Sequence, residues 1–240
     1  MAGRPVMIAA GAADTSGSAG LALYARIAAA AGVELRPVTA CVTARDAEGR
    51  VRAVQAIAPR IIARQMDCAA QGGNAGSVLV GMLARHQAVD AVAERIRRRE
   101  LRNVVLYPVL GSSGGRPLMT SQGVKRTAMA LAPRCRLVVC DGETAGLLSR
   151  VEVRGRDSFF QAAQAVLDRI SGAILMLGVR KGSEVLDVLL AKDSLAEWPA
   201  GDGAGVSGEA LAAACAALLA RGEPLEVAAR GARVLAAEAG

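Results

Sequence analysis

Apolar and polar positions alternate between two periods along most of this 240-residue chain. Short apolar runs, Pro5 to Ala10, Leu35 to Val42 and Val78 to Gly81, read as strands buried on both faces. Further strands are predicted at Asn103 to Tyr107, Arg136 to Cys140 and Ile174 to Leu177. Val51 to Ile57 alternates well enough for a strand, and Val185 to Leu190 is placed to form a hairpin with the strand before it. Between these runs lie helical patterns. One follows the glycine-rich turn Asp14 to Gly20 and ends near Ala31, and another is started by Pro59. Others cover Gln87 to Arg99 and Thr120 to Ala132, and one begins near Ser158. Glu209 to Ala239 reads as two Ala-rich helices split at Gly222-Glu223-Pro224. Strand and helix alternating with short connections predict an α/β fold in one domain, residues 1–240: a mostly parallel sheet covered on both faces. Ligands on such sheets sit beyond the carboxyl ends of the strands.

Composition qualifies this picture. Hydrophobic residues make up 52% and aromatics 2%, so the core is built from Ala, Val, Leu and Ile. The formal net charge is +7, and its one dense run is Arg95, Arg97, Arg98, Arg99 and Arg102. That run closes a helix, where cations complement the negative end of the dipole. With two Phe, two Tyr and one Trp, the chain lacks the stacking platforms of nucleic-acid binders, so no nucleic-acid partner is expected. Cys41, Cys68, Cys135, Cys140 and Cys215 form no C-x-x-C pair and read as structural thiols of a reducing compartment. The amino terminus has neither a signal-peptide pattern nor an apolar run long enough for a membrane span, so a cytoplasmic protein with no membrane partner is expected. His86 is the single histidine, which excludes a Ser-His-Asp triad at Ser112-Ser113 and leaves no metal-ligand spacing.

Two stretches carry candidate chemistry. In Gly11 to Gly20, glycines permit close backbone approach, and the helix that follows offers its amino terminus to an anion or a polar ring edge. In Val206-Ser207-Gly208-Glu209-Ala210, the helix start reads either as an ordinary cap or as an anion cradle with a carboxylate base beside it.

Several stretches, in order, resemble the hydroxymethylpyrimidine and phosphomethylpyrimidine kinases of the ribokinase-like superfamily. Ile8-Ala9-Ala10-Gly11 with Asp14-Thr15-Ser16-Gly17-Ser18-Ala19-Gly20 resembles that family's AG[ST]DPSGGAG, with one extra residue. Val42-Thr43-Ala44 matches [LV]TA, and Val80-Gly81-Met82-Leu83 matches [IT]GML. Asn103-Val104-Val105-Leu106-Tyr107-Pro108-Val109 resembles NVVLDPV, and Gly115-Arg116-Pro117-Leu118 resembles GDPLL. Ile174-Leu175-Met176 resembles the strand before KGGH. Ser207-Gly208-Glu209, followed by Arg221-Gly222-Glu223-Pro224-Leu225, fits the GTGC helix and its A[KR]G-x-[PD]L turn.

The resemblance implies a three-layer α/β/α sandwich with a mostly parallel central sheet. It implies Mg-ATP as cofactor, a small heteroaromatic alcohol as substrate, and a homodimer, for which Val51 to Ile57 offers an exposed strand. By the same carry-over, Gly11, Asp14, Ser16, Gly17, Ala19, Gly20, Arg45 and Met82 line the substrate. Val206, Ser207 and Gly208 form the anion cradle, and Glu209 stands where the family has its catalytic Cys and the wider superfamily a catalytic Asp.

The polar positions depart from the family pattern. Arg45 replaces the pyrimidine-reading Gln, and a guanidinium only donates. Leu79, Ser113 and Leu177 fall where the family has Lys, Tyr107 where it has Asp, and Val206 on the first Gly of the cradle. The Thr-Pro-Asn-x-x-Glu segment becomes Val139 to Thr144. Two readings follow. One is a small-molecule kinase with altered catalytic parts and Glu209 as base. The other is a pseudokinase: a ligand-binding protein or a partner subunit in another cofactor pathway, such as one-carbon carrier synthesis. A cleft filled by Leu79, Tyr107 and Leu177 is the expected mark of the second.

Overall fold

The structure, a computed structural model, describes residues 3–111, 117–200 and 206–239. Val6–Asp14 (β1) and Glu34–Arg45 (β2) run parallel, with Gly20–Ala30 (α1) crossing between them. Val51–Ala56 (β3) turns back antiparallel on β2 and forms one edge of the sheet. Pro59–Ala69 (α2) returns the chain to Ala75–Val80 (β4), which pairs with the other side of β1. His86–Arg98 (α3), Val104–Leu106 (β5), Ser121–Arg126 (α4), Leu137–Cys140 (β6), Gly142–Ser149 (α5) and Arg156–Leu167 (α6) continue the parallel winding to Ala173–Lys181 (β7). Glu184–Ala191 (β8) and Ser194–Pro199 (β9) add an antiparallel ribbon. The sheet order is β3-β2-β1-β4-β5-β6-β7-β8-β9. Gly208–Ala220 (α7) and Leu225–Ala239 (α8) close the chain.

Side chains of a strand alternate faces, and here that alternation sorts the core into two layers. Ile8 and Ala10 of β1 face one apolar cluster with residues of α2, α3, α5 and α6. Met7 and Ala9 face the other, with α1, α7 and α8. The expected three-layer α/β/α sandwich with a mostly parallel sheet is the observed one.

Small side chains make the second layer tight. Eight consecutive residues of α7, Ala210 to Ala217, are buried, six of them Ala, so the helix lies close on the sheet. A Cβ on Gly76 of β4 would come within 2.6 Å of the Ala220 carbonyl oxygen, so that position admits glycine alone. The arginine run at the end of α3 is a paired, solvated face. Arg95 and Arg99 reach Asp67 of α2, while Arg97 and Arg98 reach Glu94 one turn back.

The structure differs from the sequence reading in four places. The segment read as one helix from Thr120 to Ala132 is α4 followed by a π-turn at Thr127–Leu131 and a 3-10 turn at Ala132–Arg134. The Asp141 region is the start of α5, an element the periodicity did not reveal: Asp141 caps it by accepting from the Thr144 amide. β9 carries no clear alternation and was not expected. β1 and β2 run on to Asp14 and Arg45, three or more residues past the expected ends. The stretch 112–116 of the Gly111 to Pro117 loop, which includes Ser113, Gly115 and Arg116, lies outside the described residues.

Candidate functional site

The carboxyl ends of β1, β4, β5, β6 and β7 meet the amino ends of α1 and α7 at one side of the sheet. The glycine turn is fixed there by one carboxylate. Asp14 Oδ1 accepts from the Ser16 amide (2.9 Å) and hydroxyl (2.5 Å). Its Oδ2 accepts from Thr43 Oγ1 (2.5 Å), its register partner on β2, and from Arg45 Nε (3.1 Å). The Asp14 side chain is 1% exposed. Burial pushes its carboxyl up, but the bonds from Ser16, Thr43 and Arg45 outweigh it and hold the pKa down to about 2. Asp14 and Arg45 are two of the residues expected at a ligand, and in this structure the Asp14 carboxylate accepts four bonds inside the turn. Arg45 spends Nε on Asp14 and Nη1 on the Gly49 carbonyl oxygen (3.1 Å).

Gly17 and Gly20 take the left-handed φ values of +68° and +59° that favour glycine. A Cβ on Gly20 would also meet the Ala12 carbonyl oxygen at 2.2 Å, so α1 begins in direct contact with β1. Ala19 is the N-cap of α1 in extended conformation and makes no side-chain cap. Met82 is 4% exposed and packs with Ala12, Cys41, Val51, Ala84 and Leu118, so its side chain faces an apolar cluster and not open solvent.

At the start of α7, Ser207 is the N-cap and accepts from the Ala210 amide (3.1 Å). Glu209, two residues on, reaches across to α1. Its Oε1 accepts from the Tyr24 hydroxyl (2.5 Å) and from the Gly20 amide (3.2 Å). Burial raises the Glu209 pKa; the bonds from Tyr24 and Gly20 and the charge of Arg45 oppose that rise, and the charge of Asp14 adds to it. Burial, and then the Glu209 charge, push the Tyr24 hydroxyl well above its ordinary value, so it stays a donor at neutral pH.

Tyr24 was not singled out in the sequence, where it reads as one aromatic in an Ala/Leu helix. The available signal was its spacing: Gly20 and Tyr24 are four apart, hence on one helix face. Its ring explains two glycines. A Cβ on Gly11 would lie 3.0 Å from Tyr24 Cε2, and one on Gly81 would lie 2.2 Å from the hydroxyl oxygen. Gly11, one of the residues expected at a ligand, lies against the Tyr24 ring.

Beside Gly208 lies a cavity of about 480 Å³ whose wall includes Tyr107, Asp141, Leu177, Val206 and Arg233. Tyr107 and Leu177 pack against Gly208 at the helix start. A Cβ on Gly208 would stand 2.8 Å from Tyr107 Cε2 and 2.9 Å from Leu177 Cδ1. Burial, then the charges of Asp141 and Glu209, push the Tyr107 pKa up to about 12. The chain has three lysines, Lys125, Lys181 and Lys192, and none lines this cavity. Its cation, Arg233, is tied to Asp187, which is 2% exposed, by Nη2 at 2.5 Å. Leu79 is not in the cleft. It is 0% exposed beneath α7, because its position in β4 points to the sheet's α1/α7/α8 face. Among the described residues, no three His, Cys, Asp or Glu side chains are grouped to hold a metal ion. The described wall carries one arginine, ion-paired to Asp187, beside Asp141 and the side chains of Tyr107 and Leu177.

Comparison with known proteins places the chain in a family and a fold. Residues 14–239 match the family model described as phosphomethylpyrimidine kinase. The chain is 30% identical over 221 residues to a hydroxymethylpyrimidine/phosphomethylpyrimidine kinase of Rhizobium meliloti, covering 88% of this chain and 81% of that one. It is 31% identical over 166 residues to the Escherichia coli enzyme of the same name, where the match spans 62% of the relative's length. Among solved structures, a phosphomethylpyrimidine kinase of Clostridium difficile superposes with a TM-score of 0.87 at 22% identity, covering 99% of each chain. A pyridoxal kinase of Staphylococcus aureus in complex with pyridoxal gives 0.86 at 17% identity, over 98% of this chain and 87% of that one. The fold is ribokinase-like, and the chain belongs to the phosphomethylpyrimidine kinase family.

Proposed function

We propose that this chain binds a small heteroaromatic alcohol of the kind its relatives are named for, and that its phosphoryl transfer from Mg-ATP is weakened or lost. The observation that carries the reading is the packing of Tyr107 and Leu177 onto Gly208 at the start of α7. A helix amino terminus serves an oxyanion only where the anion can approach its amides, and here two side chains stand against it. The turn from Gly11 to Gly20, by contrast, keeps its glycine geometry and its anchoring bonds. The deciding measurement is the melting temperature with millimolar Mg-ATP, with hydroxymethylpyrimidine, and with both. The proposal expects a rise with the pyrimidine and none with Mg-ATP. A clear ATP-dependent rise overturns the second half, and no response to the pyrimidine overturns the first.

A second reading, an active kinase, is favoured by Glu209. A base needs a pKa drawn toward neutrality and a fixed direction. Burial supplies the first, and the bonds to Oε1 from Tyr24 and Gly20 supply the second. On this reading Oε2 takes the substrate hydroxyl's proton, and Glu209→Ala abolishes turnover. A homodimer would form through the edge strand β3, which has β2 on one side and no strand on the other among the described residues. Sedimentation equilibrium of the chain and of Val54→Lys tests that pairing.

A further inference from the structure

A second cavity, of about 650 Å³, opens between α4 with its π-turn and the last turns of α5. It touches α4 from its first residue, at Ser121, Val124 and Lys125, and the end of α5 at Leu147, Leu148 and Arg150, and it shares no lining residue with the cavity beside Gly208. Its floor is apolar and buried: Ala128 and Leu148 are 8% and 2% exposed. Its rim is apolar and open. Met129 and Leu147 are 62% and 46% exposed, among the larger exposed hydrophobic side chains of the described residues. Met129 stands on the π-turn Thr127–Leu131, a wide helical geometry that occurs frequently at functional sites.

Three cations stand around this apolar floor: Lys125, Arg150 and Arg169. No acidic residue lines the cavity, and none of the three has an ion pair among the described residues. Their neighbour Arg126, one residue from Lys125 but outside the cavity wall, is paired with Asp90 at 2.5 Å. Arg169 is held at the rim by donating from Nη1 to the Leu148 carbonyl oxygen (3.4 Å). Other arginines also stand without an ion pair among the described residues, Arg60, Arg64 and Arg85 among them; what sets this place apart is that three cations gather over an apolar hollow whose wall holds no carboxylate, an arrangement suited to an outside anion. The volume fits a small molecule.

We propose that this cavity binds a small amphipathic anion, a carboxylate or phosphate carried on an apolar body. The body lies on Val124, Ala128, Leu147 and Leu148, and the anionic group faces Lys125, Arg150 and Arg169.

The test uses the full chain and the dye 8-anilinonaphthalene-1-sulfonate, an apolar anion of suitable size. The expected result is saturable binding of one dye per chain that weakens with salt. Arg150→Glu and Lys125→Glu, both at exposed positions, each weaken it about tenfold with only a small fall in melting temperature, since each also places an anion near a helix end. Displacement of the dye by octanoate or by octyl phosphate supports the site and ranks the two anionic groups. Binding that is unchanged in both variants overturns the proposal, because the dye then lies elsewhere, the nucleotide-side cleft included. So does equally tight binding of the neutral N-phenyl-1-naphthylamine, displacement by neither anion, or a change of sedimenting mass in the variants, which would make the hollow a contact between copies.

Discussion

The Tyr24 hydroxyl donates to Glu209 Oε1 at 2.5 Å, joining the first helix of the chain to its seventh across 185 positions of sequence. The bond fixes the direction of the one carboxylate at the start of α7. Tyr24→Phe removes a donor to a largely buried acceptor and is expected to cost about 1 kcal/mol of stability. It also raises the Glu209 pKa further, since the bond lowers it. Glu209→Gln keeps an acceptor for Tyr24 and Gly20 and removes the buried charge, so its melting temperature at neutral pH should equal or exceed the native one. Urea titrations of the two variants check both statements.

The glycine at position 81 gives a cleaner measure of the same contact. Gly81→Ala places a methyl 2.2 Å from the Tyr24 hydroxyl oxygen but 3.3 Å from Cζ. The single variant should lose roughly 1–3 kcal/mol by overpacking. In a Tyr24→Phe background the atom in conflict is gone, and most of that loss should vanish. A double-mutant cycle reads the coupling directly. Additive losses would show that Gly81 is needed for some reason other than Tyr24.

Acid should loosen the glycine turn through Asp14. Its pKa lies at about 2 in the folded chain, below the ordinary 3.8. A depressed carboxylate stabilises the fold above its unfolded pKa, and that stability is lost as pH falls through the folded pKa. The window is therefore from about pH 4 to pH 2. The shift corresponds to about 2 kcal/mol as an order of magnitude, and the side chain is closed enough to solvent that little screening applies. Asp14→Asn should be less stable than the native chain at pH 6 and nearly equal to it at pH 2. Denaturant unfolding at several pH values measures the convergence.

Opening the start of α7 should restore anion access. In Tyr107→Asp with Leu177→Lys, both side chains that meet the Gly208 position are replaced by the family's own residue types. The double variant is expected to show a Mg-ATP-dependent rise in melting temperature larger than that of the native chain. If the native chain already shows that rise, the packing at Gly208 does not exclude nucleotide.

The sequence carried the architecture because strands buried on two faces and amphipathic helices leave different periods, and β1, β4, β5, β6 and β7 were all readable that way. β9 was not, since Ser194–Pro199 borders water and packs too little to impose alternation. α5 was hidden because its eight residues make barely two turns. The π-turn was hidden because Thr127–Leu131 keeps a helical apolar pattern while its hydrogen bonds widen. At the site, Glu209, the glycine turn and the departures at Tyr107 and Leu177 were legible as residue types at family positions. Their pairings were not: period places Tyr24 on a helix face but not under Gly81, and Leu79 on a strand but not on the face away from the cleft.

The bridge from Glu209 to Tyr24 and Gly20 also sets an order of assembly. β1 and α1 leave the ribosome before α7, yet the carboxylate that clamps them lies 189 residues after Gly20. Pairing between such distant segments is slow, because closing the intervening loop must precede the contact that rewards it. The Asp14 bonds within the turn can form early, but the latch from Glu209 to Gly20 and Tyr24 can form only once α7 has been synthesised and docked. Nascent chains halted before that helix would carry a sheet whose first crossover is still unlatched, and would be sensitive to protease at residues 15–20 in a way that the finished protein is not.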